Sequence, residues 1–166
     1  MALTALLIAA HGLASALGAN VDWSQAKPVD APDMTWLVVE QTNNGRAMFG
    51  IPDSDGALLW FDCIAKGSLE LSYVDSQLEP HAKFHVHLKS GARAIEVAGK
   101  TGERLQLDDL VVLQSAAIAD KRFLTNLTKG EALALMIDHD KKGRFTAFSL
   151  PAHGSTLNPF FKACGL

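Results

Sequence analysis

The chain contains only two cysteines, Cys63 and Cys164, and the second lies two residues before the last residue. Two cysteines allow a single intramolecular pairing if the protein folds in an oxidising compartment. A disulfide between them would close a loop of about 100 residues and join the last residues to the first half of the chain. The alternative is a pair of buried free thiols in a reducing compartment. Export from the cytoplasm decides between the two.

The first 19 residues, MALTALLIAAHGLASALGA, have the pattern of a secretory signal peptide. An apolar run from Leu3 to Ala10 is too short to span a bilayer, and small residues then offer cleavage at Ala14-x-Ala16 or after Ala19. No Lys or Arg precedes the run, and the alternative is a buried N-terminal helix. We predict a signal peptide over residues 1–19, a periplasmic or secreted mature protein, and therefore the disulfide.

After an extended lead-in over residues 20–34, the segment 35–166 is predicted to form a single β-rich domain. It contains many short runs of alternating or β-branched residues separated by Gly, Pro and Asn-Gly turn signals. The runs are TWLVVEQ, RAMFGIP, ALLWFDCIA, SLELSYV, KFHVHLKSG, ARAIEVAG, ERLQLDD, EALALMID and RFTAFSLP. The predicted class is mainly β, as an antiparallel β-sandwich or a curled sheet.

Two short helices are predicted among the strands. The first lies in SAAIADKRFLTNLTKG, where Gly130 is a stop signal after the last apolar position. The second is C-terminal, because apolar residues recur at i, i+3, i+4 and i+7 and so place Cys164 on its buried face. It begins either with Ser155 as N-cap or with Asn158 as N-cap and Pro159 as the first helical residue. The apolar stripes are Ala119, Phe123, Leu124 and Leu127 in the first helix and Leu157, Phe160, Phe161 and Cys164 in the second.

The segment RFLTNLTKGEALALMIDHDKKGRFTAFSLPAHGSTLNPFFKACG resembles the C-terminal half of small exported bacterial proteins of the TagO/VasI type, which accompany type VI secretion. It is more loosely similar to the invasion-associated protein B family. The resemblance is a packing pattern, which implies a fold and an envelope or secretion-system protein as partner, and it brings no catalytic residue. Its positions are Phe123, Leu124, Leu127, Gly130, Phe148, Leu150, Gly154, Leu157, Phe161 and Cys164, with Cys63 as the earlier cysteine.

Charge and motifs narrow the classes of function. The net charge is −3, so the chain lacks the basic excess that binds phosphate backbones, and nucleic acid is not an expected partner. The sequence has no Gly-x-Ser-x-Gly motif and no Gly-rich phosphate loop, and its acidic residues are scattered. We therefore predict a non-enzymatic protein, with no membrane span in the mature chain, that binds a protein or an envelope component.

The segment HAKFHVH is the best local candidate for a metal site. On a strand His85 and His87 project to one face, and His81 is near enough in sequence to be a third ligand for Zn or Cu. The alternative is the solvent face of an edge strand, since Lys83 and Lys89 share that face and would repel a cation. A periplasmic Zn- or Cu-binding protein is thus the second functional hypothesis. The histidines at 139 and 153 fall in turn segments and are predicted to lie at the surface.

Overall fold

The computed structural model describes residues 21–39, 45–54, 56–106, 109–138 and 145–166. The predicted signal peptide lies outside these ranges, as do most of the Asn-Gly turn after residue 39 and His139. Among the described helices, none is long and apolar enough to cross a membrane.

Within the described ranges, ten strands form one sheet in the order β1-β10-β9-β6-β7-β8-β5-β4-β3-β2. Neighbouring strands are antiparallel except β1 and β10, which are parallel. Their bounds are β1 Lys27–Pro28, β2 Thr35–Val39, β3 Arg46–Gly50, β4 Ala57–Ala65, β5 Ser68–Asp75, β6 Lys83–Ser90, β7 Arg93–Leu105, β8 Leu110–Ser115, β9 Leu133–Asp138 and β10 Phe145–Leu150. The lead-in thus contributes β1 to the sheet, after a short 3₁₀ helix at Trp23–Gln25.

The sheet curls around one core, which is formed by alternate strand residues that point to the same side and are buried there. Contacts between distant strands show the curl. Tyr73 on β5 packs against Phe148 on β10, with ring centroids 5.5 Å apart. The indole N–H of Trp36 on edge strand β2 donates to the carbonyl of Pro151, 2.8 Å away and just after β10. The mainly β class is confirmed, in its curled-sheet form.

Two strands differ from the predictions. ARAIEVAG and ERLQLDD were expected to be separate strands, but β7 runs unbroken from the first into the second and ends at Leu105. A register shift between Thr101 and Arg104 lets the strand continue past Gly102, because a bulge absorbs the irregularity without ending the pairing. Strand β8, with the sequence LVVLQS, was not predicted, since its continuous apolar run lacks the alternation of a half-buried strand.

Helix α1 spans Lys121–Thr128 and confirms the first predicted helix. Asp120 is its N-cap, and its side chain accepts a hydrogen bond from the N–H of Phe123. Helix α2 spans Asn158–Ala163 and confirms the C-terminal helix, but both predicted starts were wrong. Leu157 occupies the N-cap position without a side-chain cap, and Pro159 is the second helical residue, where its missing N–H is also tolerated.

The predicted disulfide is confirmed. Cys63 lies on β4 and Cys164 directly follows α2, with their Cα atoms 5.6 Å apart. The Cys164 side chain is 1% exposed, on the buried face that the apolar stripe predicted. The N–H of Gly67, in the turn after β4, also donates to the carbonyl of Cys164 at 2.8 Å. The last helix is therefore attached to the β4–β5 hairpin by a covalent bond and a hydrogen bond.

The prediction that His153 lies at the surface was wrong, since this residue is 4% exposed. Its ring packs between Trp36 and Phe161, with centroids 5.8 and 5.4 Å away. Its Nε2 lies 2.7 Å from the carbonyl oxygen of Leu127 in α1, so the neutral ring donates its Nε2–H there. Burial lowers the pKa of His153, because the charged imidazolium would lose its hydration.

We expect acid to destabilise the protein partly through His153. Its pKa is lower in the folded state than the unfolded value of about 6.5, so its contribution to stability is complete above about pH 6.5 and is lost as the pH falls from there towards the folded pKa. A His153→Gln variant keeps an N–H donor that cannot ionise in this range. Urea unfolding between pH 7.5 and 5 should therefore show a shallower loss of stability for the variant. Equal slopes for the two proteins would contradict this role.

Candidate binding groove

A groove of about 600 Å³ crosses the outer face of the sheet over β6, β7, β8 and β5. Strand pairing explains its shape. Across these strands, Phe84, Gly99 and Ser115 form one row, in the register Phe84↔Gly99↔Ser115. All three are buried and their row belongs to the core side of the sheet, so it presents mainly backbone to the outer face. This row is the floor of what we call the outer groove.

The walls of the outer groove are the rows on either side of that floor. One wall is formed by Lys83, Lys100 and Gln114, which are paired across β6, β7 and β8. The other is formed by His85 and Ala98, which are a pair on β6 and β7, and by Ala116 just after β8. The two alanines leave space where longer side chains would fill it. Most of the exposed surface of the groove is therefore apolar.

Two lysines are neighbours within the first wall. Lys83 and Lys100 are direct cross-strand partners, and both are exposed. Directly opposed residues of antiparallel strands have Cβ atoms about 5 Å apart, and like charges placed there repel. Among the described residues, no carboxylate lies within ion-pair distance of either ammonium group. In the described part of the chain, the groove thus holds two adjacent positive charges, neither of which forms an ion pair.

Of the described residues, one carboxylate, that of Glu70, lines the opposite end of the outer groove. Glu70 lies on β5, two strands away from Lys100 on β7, a separation of about 10 Å at the usual strand spacing. Its cross-strand neighbour Asp62 is already engaged in a two-point ion pair with Arg46, at 2.7 and 3.0 Å. The groove is therefore positive at the β6–β7 end and negative at the β5 end.

The structure places two of the three predicted metal-ligating histidines together. His85 and His87 lie on the outer face of β6, and Glu96 on β7 is the direct cross-strand partner of His87. One Glu96 oxygen is 2.7 Å from Nδ1 of His85, and the other is 3.8 Å from Nδ1 of His87, beyond hydrogen-bonding distance. Partial burial is the main cause that lowers the pKa of His87, and the charge of Glu96 opposes it.

His81 is not on this strand. It lies in the turn before β6 with a φ of 55°, is exposed, and donates its backbone N–H to the carbonyl of Gly102. In the described part of the chain, no group of three or more His, Cys, Asp or Glu side chains is arranged to hold a metal ion. Zn or Cu binding by His81, His85 and His87 therefore stays a prediction.

Sequence reasoning missed the outer groove, although it singled out two of its residues. Lys83 and His85 were recognised as neighbours on one face of a strand, and Lys83 counted only as a charge that repels metals. The partner lysine at position 100 and the two alanines come from other strands. Strand register brings them together: the β6–β7 register places Lys100 and Ala98 opposite Lys83 and His85. The β7–β8 register, which contains the bulge after Thr101, brings Ser115 and the adjoining Ala116 beside them.

No protein-family model, curated protein or solved structure was found to match this chain. The resemblance to exported proteins of the TagO/VasI type and to invasion-associated protein B thus rests on the packing pattern of the sequence and stays a prediction.

Proposed function

We propose that this chain is an exported, non-enzymatic binding domain that holds an envelope component in the outer groove. The proposal rests on two adjacent lysines, Lys83 and Lys100, at one end of an apolar groove. Neither forms an ion pair with a described carboxylate. Two repelling charges cost stability unless a ligand compensates them. A protein of a secretion system or a lipid-like molecule of the envelope could supply the opposite charge.

Site-specific photo-crosslinking tests the proposed binding surface. A p-benzoylphenylalanine residue at position 114, where an exposed glutamine lines the groove, should form adducts with a component of a bacterial envelope extract. The same group at position 162, where an exposed lysine of α2 lies away from the groove, is the matched control. We expect adducts at position 114, loss of most of them in a K83E/K100E background, and none at position 162. Equal adducts at both positions would refute the proposal.

Export is a separate part of the proposal and is supported by the Cys63–Cys164 disulfide, because such bonds persist in oxidising compartments. Intact-mass spectrometry of the protein expressed in a Gram-negative host tests it. We expect the periplasmic fraction to contain a chain that begins at Asn20 and is two hydrogens lighter than its reduced form. A full-length, reduced chain found only in the cytoplasm would contradict export.

The second candidate function, Zn or Cu binding, is favoured by the placement of His85 and His87 on one outer face of β6. Calorimetric titration of the oxidised protein with Zn and with Cu tests it. Under this alternative, binding should disappear in His85→Ala and in His87→Ala. The His81→Ala variant then decides whether the exposed turn residue is a third ligand.

A further inference from the structure

We infer that the ligand of the outer groove is an anionic amphiphile, with a phosphate or carboxylate head between Lys83 and Lys100 and an alkyl chain along the floor towards β8. The inference rests on the proposed function and adds the chemical class of the ligand. It follows from the charges at the two ends of the groove and from the hydrogen bonds of its floor.

The charges select the head group. The ammonium groups of Lys83 and Lys100 are the cations without a carboxylate partner that line the described groove. An anion placed between them would relieve their mutual repulsion. The third basic residue, His85, already has Glu96 at 2.7 Å. Glu70 at the far end repels an anion, so the head group is directed to the lysine end.

The floor and the two wall alanines favour an apolar chain, because hydrogen bonds already engage the hydroxyl of Ser115, the N–H of Ala116 and the carbonyls of Ala98 and Ala116. The N–H of Ala116 donates to the carbonyl of Ala98 at 2.6 Å. The Ser115 hydroxyl accepts from the N–H of Leu71 at 3.0 Å and donates to the carbonyl of Ala116 at 2.8 Å. A sugar or peptide laid here would lose hydrogen bonds to water without replacing them, which is costly. An alkyl chain loses none and removes apolar surface from water.

The size of the groove also fits a small amphiphile. Its volume of about 600 Å³ lies within the range of about 300 to 1,000 Å³ that is typical of small-molecule sites. The small residues Ala98 and Gly99 on β7 and Ala116 just after β8 line it, so a chain can lie close to the backbone.

Amide NMR of the full, oxidised protein tests the inference with four probes: decanoate, decyl phosphate and decyltrimethylammonium, each below its critical micelle concentration, and inorganic phosphate. We expect decanoate, decyl phosphate or both to shift the amides of Ala98, Gly99 and Ala116, and the one that binds more tightly identifies the head group. A K83M/K100M variant should bind at least tenfold more weakly, whereas K162M, an exposed lysine outside the groove, should bind as the unmodified protein does. Raising the salt concentration should weaken binding, because ions screen exposed charges.

Several results would overturn the inference. Equal affinity for inorganic phosphate would show that no alkyl chain is recognised, and equal affinity for decyltrimethylammonium would show that charge plays no part. Failure of both alkyl anions to bind would also refute it. If neither alkyl anion binds but position 114 still forms photo-adducts with a protein, the proposed function is supported and only the inferred ligand class is wrong. The melting temperature of K83M/K100M serves as the folding control, and it should not fall, because a repulsion has been removed.

Discussion

A Cys164→Ala variant should melt roughly 10 °C below the unmodified protein. The disulfide joins residues 101 positions apart. For a loop of this length, the restriction of the unfolded chain gives about 4 to 5 kcal/mol, and measured values for native disulfides are about 2 to 5 kcal/mol. In a chain of this size, each kcal/mol shifts the melting temperature by about 2 to 4 °C. Thermal unfolding followed by circular dichroism measures the shift.

Two controls separate the covalent bond from the loss of a buried side chain. The unmodified protein, reduced and held in reductant, should lose most of the same stability without any substitution. The double variant C63A/C164A should melt close to Cys164→Ala. The Cys63 side chain is only half-buried, so its free thiol contributes little stability by itself. A reduced protein that melts within 2 °C of the oxidised one would refute a stabilising role for the bond.

Features that depend on local pattern or on counting could be predicted from the sequence. Two cysteines leave one pairing, and the spacing of Phe160, Phe161 and Cys164 fixes which side of the last helix faces the core. Alternation over KFHVHLKS places Phe84 and the next two inward residues in the core. Such features survive in the structure because each follows either from the number of cysteines or from the repeat within one continuous segment.

Features that depend on which segments meet could not be predicted in this way. The outer groove requires Lys100 to face Lys83, and that pairing follows from the register of β6 and β7. His153 lies in a segment with all the signs of a turn, yet it is buried because α1 and Trp36 pack over it. Turn-forming residues predict the backbone conformation of such a segment, but they do not predict which residues its side chains contact.

Gly130→Ala is expected to have the second largest effect, about 2 to 5 kcal/mol of lost stability. Gly130 follows α1 with a φ of 81°, a conformation that costs an alanine about 1 to 2 kcal/mol. A Cβ atom there would lie 2.5 Å from the carbonyl oxygen of Gly154 and 2.8 Å from its Cα. Because both are backbone atoms, the segment that leads to α2 would have to move, and overpacking of this kind costs about 1 to 3 kcal/mol. Urea unfolding measures the loss.

Gly67→Ala is the matched control for this prediction, because it isolates backbone strain from the steric clash. Gly67 has a similar φ of 72°, but a Cβ atom built on it meets no heavy atom within 4 Å. The control should lose only about 1 to 2 kcal/mol, the cost of the left-handed conformation. A larger loss for Gly130→Ala would show that the close approach of α1 to the segment around Gly154 holds the C-terminal part of the chain in place, beside the disulfide. Equal losses would mean that this approach contributes nothing and that Gly130 acts only as the stop signal visible in the sequence.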